Sequence, residues 1–495
     1  MAATQHGEFV SGAPIHNYID GRLRPALSGA TFEKISPIDG RALFSVSRST
    51  ADDVRDAVAA ARRAFPEWAA LPGVQRGFAL HRLVRIMQDR QPELASVVAA
   101  ETGKSLKDAA GEAGAASALG LFFAGEGQRM YGRTTTSAVV GRRAMTIRQP
   151  IGVAGLIVPA NTPIANVAWK AFPALVCGNT VALKSAEDTP ATAALFAEMA
   201  EQAGLPAGVL NVVHGFGPEA GAPLVAHPDV GVISFTGSTT VGREIQRVAG
   251  SRLARVSLEL GGKNPFIVCD DADLDEAVRW AVLSAFSNAG QRCASGSRII
   301  LFDAIADEFR ARLVTATGRL RVGSGDDDDF GPVINERQMN AILQAVDHAR
   351  RDGARILTGG RRATAGALAD GFYLEPTLVD ALAADHPVSQ AELFGPVATL
   401  YTVSGFAEAL RLANSSPYGL TGCIHTRSID RALAFVERVD AGVAVVNAGT
   451  YGSEPHMPFG GVKQSGNGSR EPGTEALDVY SSLKDVYLNL DDRRL

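Results

Sequence analysis

Apolar and polar positions set up three rhythms along the chain. From Asn17 to Val46, short strand-like pieces are broken at Asp20-Gly21, Ser28-Gly29 and Asp39-Gly40, which are hairpin turn signals. Thr50 then reads as a helix N-cap, with Asp52 and Asp53 in the first turn. Helical spacing follows through Val54, Val58 and Ala61. More helix is expected from Gln75 to Ala100, interrupted near Pro92, and again from Leu106 to Met130. Thr134 to Gln149 alternates polar and apolar residues and reads as an extended hairpin. Its inner positions are small or polar, so it buries too little for a core element and reads as an arm gripping a partner.

From Ile151 the rhythm becomes strand, turn, helix, strand. Strands are expected at Val153 to Val158, Thr180 to Lys184, Val209 to Val213, Val230 to Phe235 and Arg255 to Leu258. Helices are expected at Val167 to Val176, Thr189 to Ala203, Pro218 to Ala226 and Thr240 to Gly250, with Pro190 in a first-turn position. A second alternating block runs from Pro265 to about Asn447. Its clearest strands are Arg298 to Phe302 and Val397 to Tyr401. Its clearest helices are Leu274 to Asn288, Ile305 to Thr317, Arg337 to Asp352 and Phe406 to Ala413. Such alternation predicts βαβ units and parallel sheets, hence two α/β lobes.

Composition narrows the function. With 46% hydrophobic and 20% charged residues among 495, a sizeable core is possible. Lys plus Arg total 48 and Asp plus Glu 53, a net charge of −5, so no basic excess calls for nucleic acid or an anionic membrane. Apolar runs such as Ile151 to Val158 fall far short of the ~20 residues that span a bilayer. Met1 to Val10 lacks a signal-peptide pattern. The four cysteines, Cys177, Cys269, Cys293 and Cys423, form no CxxC pair, which fits a reducing cytosol. A cytoplasmic protein is expected. The acidic run Asp326 to Asp329 reads as a solvated loop, and no metal site is expected.

Several segments could carry chemistry. Thr236-Gly237-Ser238-Thr239 follows an apolar strand and opens a helix, a natural anion site; it also reads as an ordinary N-cap. Lys184 and Glu187 follow another strand, where they could hold ribose hydroxyls or form a surface ion pair. Asn161, in Pro159-Ala160-Asn161-Thr162-Pro163, could donate to an oxyanion or sit in a simple turn. Cys293, in Gly290-Gln291-Arg292-Cys293-Ala294-Ser295-Gly296, could be a nucleophile or a buried inert thiol.

Taken together and in order, these segments resemble the aldehyde dehydrogenase superfamily. The series is Asn161, Lys184 with Glu187, Gly237-Ser238, Glu259-Leu260-Gly261-Gly262-Lys263 and Gly290-Gln291-Arg292-Cys293. It continues with Glu392-Leu393-Phe394-Gly395-Pro396-Val397, Asn414 with Tyr418-Gly419-Leu420, and Pro458 to Gly466. The resemblance implies two Rossmann-like parallel-sheet lobes, one cofactor-binding and one catalytic, plus a small β oligomerisation arm. Residues 1–131 with 152–260 would form the NAD-binding domain and 261–462 the catalytic domain. Residues 132–151 and 463–495 would form the arm and C-terminal segment.

It also implies non-acylating oxidation of an aldehyde to a carboxylic acid. Cys293 would be the nucleophile, Asn161 with the Cys293 backbone amide the oxyanion hole, and Glu259 the general base for thioester hydrolysis. Gly237 and Ser238 would meet the pyrophosphate, Lys184 and Glu187 the adenosine ribose, and Glu392 the nicotinamide ribose, with Phe394 beside the ring. A carboxylate at Glu187 repels a 2′-phosphate, so NAD is expected over NADP. Trp169, Arg292, Ala294 and Phe459 would surround the substrate. Ala160 and Thr162, where the family usually carries aromatics, suggest a roomy pocket for an aromatic or medium-sized aldehyde. Arg292 keeps a carboxylate-bearing semialdehyde open, and a thiol-dependent esterase is a further alternative. A homodimer or homotetramer is expected.

Overall fold

The computed structural model describes residues 14–490. Two seven-stranded sheets organise it. In the first, the strands Arg255–Glu259, Val230–Thr236, Val153–Ile157, Thr180–Lys184 and Leu210–Val213 lie side by side in that order, all parallel. The hairpin Asn17–Ile19 and Arg22–Arg24 closes that sheet antiparallel against Leu210–Val213. Asp20 and Gly21 make the tight turn, both at positive φ, as the Asp-Gly signal requires. Val153–Ile157, Thr180–Lys184 and Leu210–Val213 are wholly buried, so they read as apolar runs rather than alternations.

The second sheet orders Arg355–Thr358, Thr377–Asp380, Val397–Val403, Arg298–Phe302, Pro265–Val268, Thr421–His425 and Val443–Val446. All but Arg355–Thr358 run parallel. The fold is therefore mixed α/β with two parallel-dominated sheets.

The helical opening block forms Ala51–Ala70, Gly73–Asp89, Gln91–Thr102 and Leu106–Glu126. Asp53 accepts from the Thr50 amide at 2.9 Å, which fixes the first helix start. Pro92 opens the third helix instead of breaking one, because a first-turn proline loses no hydrogen bond. The expected helix from Pro218 to Ala226 divides into a π-turn, Gly217–Gly221, and a short helix, Ala222–Ala226. The helix expected to reach Asn288 ends at Phe286, and a short turn, Ser287–Gly290, follows it.

Thr134–Thr136 and Arg142–Pro150 pair as a hairpin, and Ser481–Asn489 adds a third antiparallel strand. Just before it, Ala476–Tyr480 packs into the core of the first lobe. The Asp326–Asp329 run is a largely exposed loop in which Asp326, Asp328 and Asp329 accept from the amides of Lys107, Gly325 and Arg321. Among the described residues, no helix is long and apolar enough to cross a membrane.

Candidate active site

Strand order reverses between Val153–Ile157 and Val230–Thr236: the chain builds outward to one side from the first and to the other from the second. Ligand crevices form at such switch points, off the carboxyl ends of the strands. Three of the segments singled out above leave those ends. Asn161 follows Val153–Ile157, Gly237-Ser238 follow Val230–Thr236, and Glu259 closes Arg255–Glu259. The second lobe brings Cys293 to the same place, on the loop between Ser287–Gly290 and Arg298–Phe302.

A cavity of about 690 Å³ opens there, lined among others by Asn161, Trp169, Arg292, Cys293, Ala294 and Phe459. Trp169 and Phe459 form one wall, their ring centroids 5.3 Å apart. The Arg292 guanidinium lies 5.0 Å from the Tyr451 ring centroid, and its Nε is buried without an acceptor. Among the described residues Arg292 has no carboxylate partner, whereas Lys104 in the same cavity is paired with Glu112 at 2.6 Å. Glu454 also lines the cavity, but His456 does not; it faces outward beside Glu454.

Cys293 is a free thiol. Burial first, then the charges of Glu392 and Glu259, push it up to about 12. The Asn161 Nδ2 donates to the Gln291 carbonyl at 2.9 Å, and its Oδ1 has no partner. The Asn161 carbonyl accepts from Lys104 Nζ at 3.0 Å and from Asn288 Nδ2 at 3.2 Å.

Glu259 is buried, and neither carboxylate oxygen has a hydrogen-bond partner. Burial, then the neighbouring Glu471, holds its carboxyl well above the usual range, against Lys170 and Arg470. Gly460 makes room for it, since a Cβ there would stand 2.8 Å from Oε1. Behind it lies a wholly buried pair, Lys170 Nζ to Glu471 Oε2 at 3.0 Å, with Ser234 bridging to both.

The remaining candidates lie along the crevice. Ser238 caps the helix Thr239–Ser251, its Oγ accepting from the Val241 amide at 3.4 Å, so the N-cap reading holds for this side chain. A Cβ on Gly237 would collide with the Phe235 ring. Lys184 Nζ donates to Glu187 Oε2 at 3.1 Å. Burial pushes Glu187 up, but the Lys184 charge and hydrogen bond, a backbone hydrogen bond and the Arg337 charge together leave the carboxyl below its usual value. Glu392 Oε1 accepts from the Gly262 amide at 3.1 Å, and burial lifts its carboxyl to about 7. Gly261 is bare because the Glu392 carboxylate occupies the space a Cβ would need. Phe394 sits at φ 53.

Cys293, Asn161 and the four pocket residues thus share one cavity, with Glu259 and Glu392 within electrostatic reach of the thiol. Sequence reasoning did not reach Lys104, Glu112 or the bonding of Asn288. The first two sit in helical segments without a motif. The third is the Asn of an Asn-Ala-Gly run, a composition that favours left-handed turns.

The donor set fits a dinucleotide: a helix N-terminus at the switch point, a glycine whose Cβ would clash, and a Glu392 carboxylate whose one hydrogen bond among the described residues is to the Gly262 amide. The sequence profile of the aldehyde dehydrogenase family matches residues 25–486. The chain is 38% identical over 475 residues to the α-ketoglutaric semialdehyde dehydrogenase of Bacillus subtilis, covering 95% of this chain and 97% of that enzyme. It is 38% identical over 474 residues to the succinate-semialdehyde dehydrogenase [NADP(+)] of Escherichia coli, covering 95% and 97%. Among solved structures, betaine aldehyde dehydrogenase of Staphylococcus aureus in complex with NAD+ superposes with a TM-score of 0.96 at 32% identity, covering 98% and 97%. The chain belongs to the aldehyde dehydrogenase family, oxidoreductases that oxidise aldehydes with NAD or NADP.

Proposed function

We propose that the enzyme oxidises a medium-sized aldehyde carrying a carboxylate at its far end, through a thioester on Cys293, with NAD as the preferred cofactor. The observation that carries the reaction is the convergence of the Cys293 thiol and the Asn161 amide on one cavity, with the unpartnered Glu259 carboxylate nearby. The Cys293 thiol gives its proton to water in the cavity and its sulfur attacks the aldehyde carbon. The second Asn161 N–H and the Cys293 backbone N–H receive the developing oxyanion. NAD, when bound, supplies the hydride acceptor that converts the thiohemiacetal to the thioester, and a positive charge that offsets Glu259 and Glu392. Glu259 then takes a proton from the water that hydrolyses the thioester; a carboxyl raised by burial is a far better base near neutrality than an exposed one. Ser234, Lys170 and Glu471 behind it give that proton polar neighbours.

Gly237, Ser238 and the following amides would hold the pyrophosphate, Lys184 and Glu187 the adenosine ribose, and Glu392 the nicotinamide ribose beside Phe394. Glu187 keeps its charge, and a carboxylate holding the adenosine ribose would repel a 2′-phosphate, which supports NAD over NADP.

For the substrate, Arg292 supplies the support: a guanidinium in the cavity beside the nucleophile, with no protein carboxylate of its own. A carboxylate is its natural complement. The Trp169–Phe459 wall favours a second reading, an aromatic aldehyde. NADH formation with succinic semialdehyde, butanal, benzaldehyde and acetaldehyde separates them. In Arg292→Gln, kcat/KM for the semialdehyde should fall about 10- to 100-fold while butanal is little changed. Benzaldehyde turning over faster than the semialdehyde in the wild type would favour the aromatic reading.

A homo-oligomer is part of the same proposal. Leu483 and Tyr487 are exposed on the arm, and Ile429, Leu433 and Val436 form an exposed stripe on Ile429–Arg438 beside the edge strand Val443–Val446. Apolar faces and open strand edges of this kind are usually covered. Light scattering after gel filtration should give a dimer or tetramer mass; a monomer at micromolar concentration would refute it.

A further inference from the structure

The proposed oxyanion hole draws on both lobes: the Asn161 amide comes from the first and the Cys293 N–H from the second. Such a hole is only as good as the register between its halves, because small misplacements of donors cost large factors in rate. One side chain bonds both halves. Asn288 Nδ2 donates to the Asn161 carbonyl at 3.2 Å and to the Gln291 carbonyl at 3.2 Å. The same Gln291 carbonyl accepts from Asn161 Nδ2 at 2.9 Å. Asn288, Asn161 and Gln291 therefore form a closed set of bonds two residues from the nucleophile. Gln291 is itself anchored in the second lobe, its Oε1 accepting from the Ile334 amide at 2.8 Å and its Nε2 donating to the Pro332 carbonyl at 3.2 Å.

The backbone pays a conformational cost to aim this amide. Asn288, Ala289 and Gly290 are successive left-handed residues, at φ 54, 54 and 68. Asn tolerates that region, and Gly290 must be glycine because a Cβ would run into the Gly395 carbonyl. Ala289 has neither excuse. Strain of this kind persists where the surrounding structure imposes it, and it clusters at functional sites. Asn288 is 9% exposed and lines the substrate cavity.

We infer that Asn288 is a positioning residue that sets the Asn161 amide in register with the nucleophile loop. This rests on the thioester reading above. Asn288 acts through Asn161 and transfers no proton or bond itself.

The test uses the full-length protein, wild type beside Asn288→Asp and Asn288→Gly. Asp keeps the shape but turns two donors into acceptors facing carbonyl oxygens. Gly keeps the left-handed backbone and removes the bonds. Four quantities are read: kcat for aldehyde oxidation, kcat for p-nitrophenyl acetate hydrolysis without cofactor, KM for NAD, and the alkylation rate of Cys293 by iodoacetamide. Oxyanion-hole donors are worth about 10²–10³-fold in kcat, so loss of their register should cost about 10- to 100-fold in both kcat values. KM for NAD and the alkylation rate, which need no oxyanion hole, should stay within about twofold. Activity within twofold of wild type in both variants would overturn the inference. So would an alkylation rate and NAD affinity that fall in step with kcat, since that marks a collapsed loop. If one variant does not fold, the other still reads. Wild type that oxidises no aldehyde defeats the thioester reading; active wild type with active variants defeats only the role of Asn288.

Discussion

Glu187 and Glu259, the two carboxylates proposed for opposite ends of the reaction site, stand in opposite surroundings. Burial pushes Glu187 up, but the ion pair with Lys184, a backbone hydrogen bond and the Arg337 charge together hold its carboxyl low. Glu259 is buried with both oxygens unpartnered and a like charge nearby, and its carboxyl is held high. In the proposed reaction the same functional group serves as a fixed charge in one place and as a base in the other. The difference lies in the bonds: a directly bonded cation stabilises ionisation, whereas the cations near Glu259, Lys170 and Arg470, form no hydrogen bond to it and do not offset its burial.

Cys293→Ala is the deepest cut at the reactive end and should remove about 10⁴-fold or more of the turnover, read by NADH absorbance. Glu259→Gln comes next. It should give one burst of NADH per active site and then a steady rate down about 10²–10⁴-fold, because acylation proceeds and hydrolysis stalls. A full steady rate in that variant would remove Glu259 from the base role. Lys170→Met tests the pairing behind Glu259. Removing one partner of a wholly buried pair should cost about 3–5 kcal/mol in denaturant unfolding. Glu187→Gln tests the other end and should raise the NADP to NAD ratio of kcat/KM about 10-fold. Ser238→Ala should be the mildest, costing about 1 kcal/mol of helix capping, with little change in NAD affinity if the backbone amides carry the phosphate contact.

The comparison also has a pH signature. Glu259 works only when ionised, so turnover should fall on acidification well before an ordinary carboxylate would protonate. Glu187 keeps its charge further into acid, so NAD affinity should outlast kcat. The two act on stability with opposite sign. Glu187, lowered by folding, stabilises above its unfolded value, and that contribution is lost as pH falls through its folded value. Glu259, raised by folding, stabilises below its unfolded value, and that contribution is lost as pH rises through its folded value.

Much of this was legible in the sequence. The strands that build the switch point are short, wholly buried apolar runs, and their turns are rich in Gly, Pro, Ser and Thr, so both period and breaks show. The residues of the proposed site lie at the ends of those strands. What the sequence does not show is set by contacts between distant segments. Nothing near Glu259 announces that it faces Gly460 and Glu471. Nothing near Arg142–Pro150 announces Ser481–Asn489 as its third strand. The division of the Pro218–Ala226 helix and the left-handed φ of Ala289 depend on tertiary packing, which overrides local propensity. The role of Arg292 shows only once its lack of a carboxylate partner can be seen.

The buried pair behind Glu259 also bears on how the chain is made. Lys170 and Glu471 are 301 positions apart, yet each lacks its counter-ion without the other. Synthesis delivers Lys170 first, together with nearly all of the first lobe. Closing that lobe around Lys170 without Glu471 would mean burying an unpaired ammonium or neutralising it, either at a cost, and Ala476–Tyr480, which packs into its core, arrives later still. The native packing of the first lobe is therefore complete only once most of the second half has been translated. Late completion of this kind leaves apolar surface exposed until then, the condition under which nascent chains turn to chaperones.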